Sequence, residues 1–245
     1  MGQKTKPPLV FVHGFRGAPV GLQAIANQLN NYGYQTYLPA IPPFADTQPL
    51  NKYDIKHYVD FLRNYLTENQ IAQPILIGHS MGSIICAAAG EHCADLLDER
   101  LILLSPISAR TNPALGAFSS LSAILPRNTV DYVTTRFLFV PKNRQLFKQT
   151  MVTTHLCSAD SHASRRDEIA SAHFSTRHSV SDFQPPQQIL LLAGEHDKIV
   201  PKSATEQLSH KFKNIQIHFI PQTGHLHNYE APIATAEAIR RFIEN

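Results

Sequence analysis

Six short apolar runs, separated by longer stretches with helical spacing, leave this chain few architectures to choose from. The runs cover residues 9–13, 35–40, 74–77, 101–104, 189–193 and 215–220. Most are nearly continuous in hydrophobicity rather than alternating, the pattern of strands buried on both faces. Between them, residues 20–32, 51–69, 81–93, 201–212 and 231–243 carry apolar side chains at helical spacing. In the second of these, Ile55, Tyr58, Val59, Leu62 and Leu66 fall on one stripe, while Lys56, Asp60, Arg63 and Asn64 lie elsewhere. Pro201 stands where a first helical turn would begin, a position at which its missing N–H costs nothing. Strand and helix alternating along the chain predict an α/β fold with a mainly parallel sheet of about six strands and helices on both faces.

One stretch breaks the alternation. Residues 107–183 hold several amphipathic segments and no convincing strand, and prolines bracket them at Pro106, Pro185 and Pro186. An insertion between two consecutive strands reads as a helical cap or lid, leaving residues 1–106 and 184–245 as the core. In such sheets ligands bind outside the carboxyl ends of the strands, so an insertion leaving there lies over the site.

Composition narrows the partners. With 43% hydrophobic and 17% charged residues the chain is ordinary globular material, and a net charge of +3 without a basic run predicts no nucleic-acid partner. The start of the chain enters an apolar stretch of only five residues, too short for secretion or membrane spanning, so no stable membrane insertion and a cytoplasmic location are expected. Lys6 occupies the position where a myristoylation signal after Gly2 needs serine or threonine. Cys86, Cys93 and Cys157 are odd in number and form no CxxC pair, which suits buried thiols in a reducing compartment. Oligomeric state leaves no trace in the sequence.

The chemistry centres on Ser80. It lies within Gly78, His79, Ser80, Met81, Gly82, directly after an apolar run and directly before a run of good helix formers. A strand reversing into a helix over so few residues forces strained backbone angles on the central residue, and flanking glycines remove the side chains that would collide. The hydroxyl is thereby held out at the end of the sheet, near the unpaired N–H groups that open the helix. A serine needs a base to take its proton and a third group to orient that base. Asp197 follows the run at 189–193, and His225 follows the run at 215–220, so both sit just past strand ends. Glu195 competes with Asp197 as the acid and His227 with His225 as the base. The spacing to Pro201 and the preceding Gly224 favour Asp197 and His225.

With these residues in hand the chain resembles the α/β-hydrolase family of serine hydrolases, which includes carboxylesterases and monoglyceride lipases. The matching pieces are Val12, His13, Gly14 and Phe15, the run Gly78 to Ser83, the run Gly194 to Pro201, and Gly224 with His225, and they span the chain. The resemblance implies Ser80 as nucleophile, His225 as base and Asp197 as acid. It further implies an oxyanion hole made by the backbone N–H groups of Phe15 and Met81, with no cofactor and no metal. It assigns His13 and His79 structural roles beside the site. Two departures stand out: too few residues precede Leu9 for the family's opening hairpin, and Ser83 replaces a common glycine.

The implied reaction is cleavage of a small carboxylic ester, with a small-molecule acyl substrate, through an acyl-enzyme intermediate. Thioester hydrolysis and carbon–carbon bond hydrolysis reuse the same triad, and a non-catalytic ligand receptor on the same scaffold is the reading from another class. The spacing of His155, His162, His173 and His178 does not suit metal ligation. Basic residues outnumber acidic ones across 107–183, which fits a solvated surface and, in a sharper reading, an anionic substrate group.

Overall fold

Alternate residues of a strand face opposite sides of its sheet, and here both sides are apolar. The computed structural model describes residues 6–45, 47–108, 136–146 and 165–245. Its strands are β1 (Leu9–Val12), β2 (Thr36–Tyr37), β3 (Ile75–His79), β4 (Arg100–Leu104), β5 (Gln188–Gly194) and β6 (Ile215–Ile220). They form one six-stranded sheet in the order β2-β1-β3-β4-β5-β6, with every neighbouring pair parallel. The described helices are α1 (Gln23–Asn31), α2 (Ile55–Glu68), α3 (Met81–His92), α4 (Arg165–Arg177), α5 (Lys202–Gln207), α6 (His227–Glu230) and α7 (Pro232–Glu244).

Val10, Val12, Leu76, Leu101, Leu103 and Leu191 pack on one face against α2 and α3, through Tyr58, Leu62, Ile84 and Ile85. Leu9, Phe11, Ile77, Ile102, Leu104 and Leu192 pack on the other against α1 and α7, through Ile25, Leu29 and Ile239. This is why the central strands read as continuous apolar runs. Each fully buried aliphatic side chain of this kind contributes about 1.5–3 kcal/mol. Ten consecutive residues of α3, from Met81 to Gly90, are buried, so the helix that follows Ser80 runs through the middle of the molecule.

One edge is shorter than the sequence expectation. β2 keeps only two paired residues of the run at 35–40, pairing with β1 alone among the described strands. β6 is the other edge strand and buries its residues unevenly, with Gln216 and His218 exposed. α2 starts at Ile55 rather than 51, where the Asp54 side chain accepts a hydrogen bond from the His57 N–H and caps the helix. Pro201 is the N-cap of α5 rather than its first residue, and that helix gives way to a single tighter turn at Leu208–His210.

Between β4 and β5 the described segments are 105–108, 136–146, with a short turn at Pro141–Asn143, and 165–187, which holds α4 and a short turn at Val180–Asp182. Residues 109–135 and 147–164 of the cap expected over 107–183 lie outside the described residues, among them Cys157, His155 and His162. Cys86 and Cys93 are both buried free thiols, and burial pushes the Cys86 thiol upward. Among the described residues no helix is long and apolar enough to cross a membrane.

Candidate active site

Ser80 stands between the last residue of β3 and the first of α3, at φ 53° and ψ −119°. Side chains of L-residues rarely adopt such angles, so the surroundings must hold them. The Ser80 N–H donates to the Leu104 carbonyl at 2.9 Å, and its own carbonyl accepts from the Ser83 N–H at 2.9 Å. The Ser83 hydroxyl donates to that same carbonyl at 2.5 Å and accepts from the Ile107 N–H at 3.2 Å. The residue that departs from the family pattern therefore braces the bend. A Cβ on Gly82 would lie 2.2 Å from the Val12 carbonyl oxygen, and one on Gly78 would lie 2.4 Å from the Gly82 oxygen. The glycines let α3 start directly against the end of β1.

The structure brings Asp197 and His225 to this bend. His225 Nε2 lies 3.0 Å from Ser80 Oγ, and His225 Nδ1 lies 2.8 Å from Asp197 Oδ2. The other carboxylate oxygen, Asp197 Oδ1, accepts from the Ile199 and Val200 N–H groups at 2.8 and 2.9 Å. Burial works to raise the Asp197 carboxyl, but its electrostatic attraction to the His225 ring, the hydrogen bond to that ring and these two amides together hold it below its ordinary value. An ionised Asp197 is an acceptor only, so Nδ1 carries the imidazole proton and donates it. Nε2 is left as an acceptor facing the hydroxyl. Asp197 and His225 are buried while Ser80 is half-buried, so the hydroxyl alone of the three reaches toward solvent.

The main chain of His225 is fixed from below. Its carbonyl accepts from His79 Nε2–H at 3.1 Å and from the Ser105 hydroxyl at 3.1 Å. Burial, and then the neighbouring His225 and His227, hold His79 well below its ordinary value, so it acts as a neutral donor. A Cβ on Gly194 would come within 2.0 Å of the Gly224 oxygen, and the His196 N–H donates to Thr223 O at 2.9 Å. The loops carrying Asp197 and His225 are thus pressed together.

The two rivals lie elsewhere. Glu195 is exposed, with Oε2 accepting from the Gln222 N–H at 3.2 Å. His227 is buried with Nδ1 at 3.1 Å from Thr235 Oγ1, and burial lowers it to about 4.

The loop after β1 lies against the bend. A Cβ on Gly14 would fall 2.9 Å from the Ser80 Cβ, and the Gly17 N–H closes a turn onto Gly14 O at 3.0 Å. His13 bonds Gly14 O through Nδ1 at 3.0 Å and accepts the Ile41 N–H on Nε2 at 2.9 Å. Burial outweighs its bond to Gly14 and lowers His13 to about 4, keeping it neutral. Phe15 belongs to this loop, and Met81 opens α3, where a helix leaves its first N–H groups without internal acceptors.

Helix α4 seats beside the same groups. Arg16 Nη2 donates to Glu168 Oε2 at 3.0 Å, and Ser171 Oγ lies 3.1 Å from Tyr58 Oη and 3.5 Å from Met81 Sδ. Among the described residues no group of three or more His, Cys, Asp and Glu is placed to hold a metal ion. Sequence reasoning missed what Ser105 does, because a lone serine after a strand carries no motif. It gave His79 only a general supporting role, because that residue's target is a main-chain oxygen.

Residues 9–238 match the model of a family described as the alpha/beta hydrolase family. YugF of Bacillus subtilis (strain 168), described as an uncharacterized hydrolase, is 25% identical over 250 residues, covering 96% of this chain and 89% of its own. The enol-lactonase from Burkholderia xenovorans LB400 superposes with a TM-score of 0.84 at 14% identity, covering 100% of this chain and 94% of its own. An esterase from Exiguobacterium antarcticum does so with a TM-score of 0.82 at 16% identity, covering 98% and 93%. The structural likenesses speak for the fold. With that sheet, that bend and a family match running nearly end to end, the chain belongs to the alpha/beta hydrolase family.

Proposed function

We propose that this protein is a serine hydrolase that cleaves a carboxylic ester of a small molecule through an acyl-enzyme intermediate. The observation that carries this reading is the hydrogen-bonded line from Asp197 through His225 to Ser80. Ser80 Oγ attacks the acyl carbon as His225 Nε2 takes its proton, and the same proton then passes to the departing alcohol oxygen. Water repeats the sequence on the acyl-enzyme and returns the proton to Ser80. Asp197 holds the imidazole tautomer and stabilises the imidazolium that forms. The backbone N–H groups of Phe15 and Met81 take the oxyanion, each such donor contributing about 10²- to 10³-fold in rate. Relatives described as hydrolase, esterase and enol-lactonase support an ester or lactone carbonyl as the target.

A fluorophosphonate probe and a panel of p-nitrophenyl esters of increasing chain length, run beside a thioester, test this. Wild-type protein should be labelled and Ser80→Ala should not, with kcat falling about 10⁶-fold. Equal labelling of both proteins refutes the nucleophile, and turnover of the thioester without any ester refutes the substrate class.

A further inference from the structure

We propose that Glu230 is a positioning residue: its carboxylate sets the His225 loop and ties it to the segment at 138–143. This rests on His225 being the proton acceptor of the proposed reaction. Glu230 closes α6, five residues after His225, and its carboxylate bonds the Gly224 N–H, the Val140 N–H and the Asn143 amide, so its action on the imidazole runs through the backbone. Oε1 accepts from the Gly224 N–H at 2.7 Å. Oε2 accepts from the Asn143 amide at 2.8 Å and from the Val140 N–H at 3.1 Å. One carboxylate therefore gathers three donors, one from the residue preceding His225 and two from the stretch between β4 and β5.

The surrounding backbone leaves little slack. The Glu230 N–H donates to Leu226 O at 3.0 Å, so main chain and side chain close the loop around His225 from both ends. The Leu226 N–H reaches Leu138 O at 3.3 Å. A Cβ on Gly224 would lie 2.6 Å from that same Leu138 oxygen and 3.1 Å from Glu230 Oε1. Both oxygens of Glu230 face donors, which suits a group that only accepts, and hydrogen bonds to a charged acceptor are roughly twice as strong as neutral ones. Glutamine in its place must turn an NH₂ toward at least one donor. It can keep one side of the bridge but not both.

A displacement of about 1 Å at a reacting group costs on the order of 10²-fold in rate, and Glu230 is bonded one residue from the group whose position matters. The test compares Glu230→Gln and Glu230→Ala with wild type. It reads kcat and KM on a short p-nitrophenyl ester and the low-field NMR resonance of the His225 Nδ1 proton, assigned by its loss in His225→Ala. Glu230→Ala should lower kcat about 10²-fold with KM within about threefold, and Glu230→Gln should fall between. The low-field resonance should broaden or vanish in the alanine variant and survive, shifted, in the glutamine variant.

A folded alanine variant with wild-type kcat and an unchanged resonance overturns the proposal, as does a loss expressed in KM alone. If the alanine variant does not fold, the glutamine variant decides by the same two readouts, and identity with wild type in both overturns it. If wild type turns over no ester, the hydrolase reading fails separately. The resonance, which needs no turnover, still decides whether Glu230 sets His225.

Discussion

Asp197→Asn is the sharpest perturbation of the proposed mechanism, because the structure dictates which way the new amide must face. Asp197 Oδ1 accepts two backbone N–H groups, from Ile199 and Val200, while Oδ2 accepts from His225. Asparagine has one oxygen to offer. Turning its NH₂ toward the two amides would set donors against donors at two contacts, so the oxygen stays there and the NH₂ faces His225. The imidazole then moves its proton to Nε2, which donates to Ser80 Oγ and can no longer take the proton from it. A wrong tautomer of this kind costs about 10⁴-fold in kcat, which corresponds to about 5 kcal/mol of barrier. The substitution is close to isosteric and keeps both backbone bonds, so the thermal midpoint should move little. Steady-state ester hydrolysis at neutral pH, with the fluorophosphonate labelling rate alongside, measures the effect. Glu195→Gln, at the exposed neighbouring carboxylate, serves as the comparison and should leave kcat unchanged. A folded Asp197→Asn protein within about tenfold of wild type, or the larger loss appearing in Glu195→Gln, refutes the tautomer argument.

Two further outcomes concern stability. His13 and His227 are buried and lowered to about 4 from an ordinary 6.5, chiefly by burial. As pH falls below 6.5 the unfolded chain takes up these protons before the folded one does. Stability is therefore full above 6.5 and declines toward pH 4. Between pH 7 and 5 each should cost about 2 kcal/mol, so urea midpoints should fall over that range, and His227→Gln should flatten the dependence; a level profile from pH 7 to 5 contradicts it. Gly82→Ala places a better helix former in α3, yet its Cβ would meet the Val12 oxygen at 2.2 Å. It should destabilise by about 1–3 kcal/mol and reduce kcat by shifting Ser80 and Met81, whereas a gain of about 1 kcal/mol would mean that propensity outweighs the clash.

Much of this was legible in the chain because backbone constraints write themselves as residue types. Ser80 was readable through Gly78 and Gly82, whose missing side chains are required where α3 meets β1. The central strands were readable because two apolar faces leave no alternation to interpret. At the edges the run at 215–220 marked β6 correctly although its burial is half-polar, whereas β2, pairing with β1, is shorter than the run at 35–40. Pro201 signalled the start of α5, but a proline fits the N-cap and the first turn alike, so the boundary slipped by one residue. What the sequence hid were contacts that end on main-chain atoms. His79 and Ser105 meet at the His225 carbonyl, and Glu230 meets the Gly224 amide, and no side-chain pattern records a partner that every residue possesses.

The all-parallel sheet also bears on when the site comes into being. Among the described strands no hairpin joins neighbours, so each of their pairings waits for chain that lies well away in sequence. Ser80 and His225 are 145 positions apart, and β6, which leads into the loop carrying the imidazole, follows the other five described strands in the chain and stands at the sheet's edge. In a chain emerging from the ribosome, the Ser80 hydroxyl therefore waits for its proposed proton acceptor until β6 and the loop after it have docked.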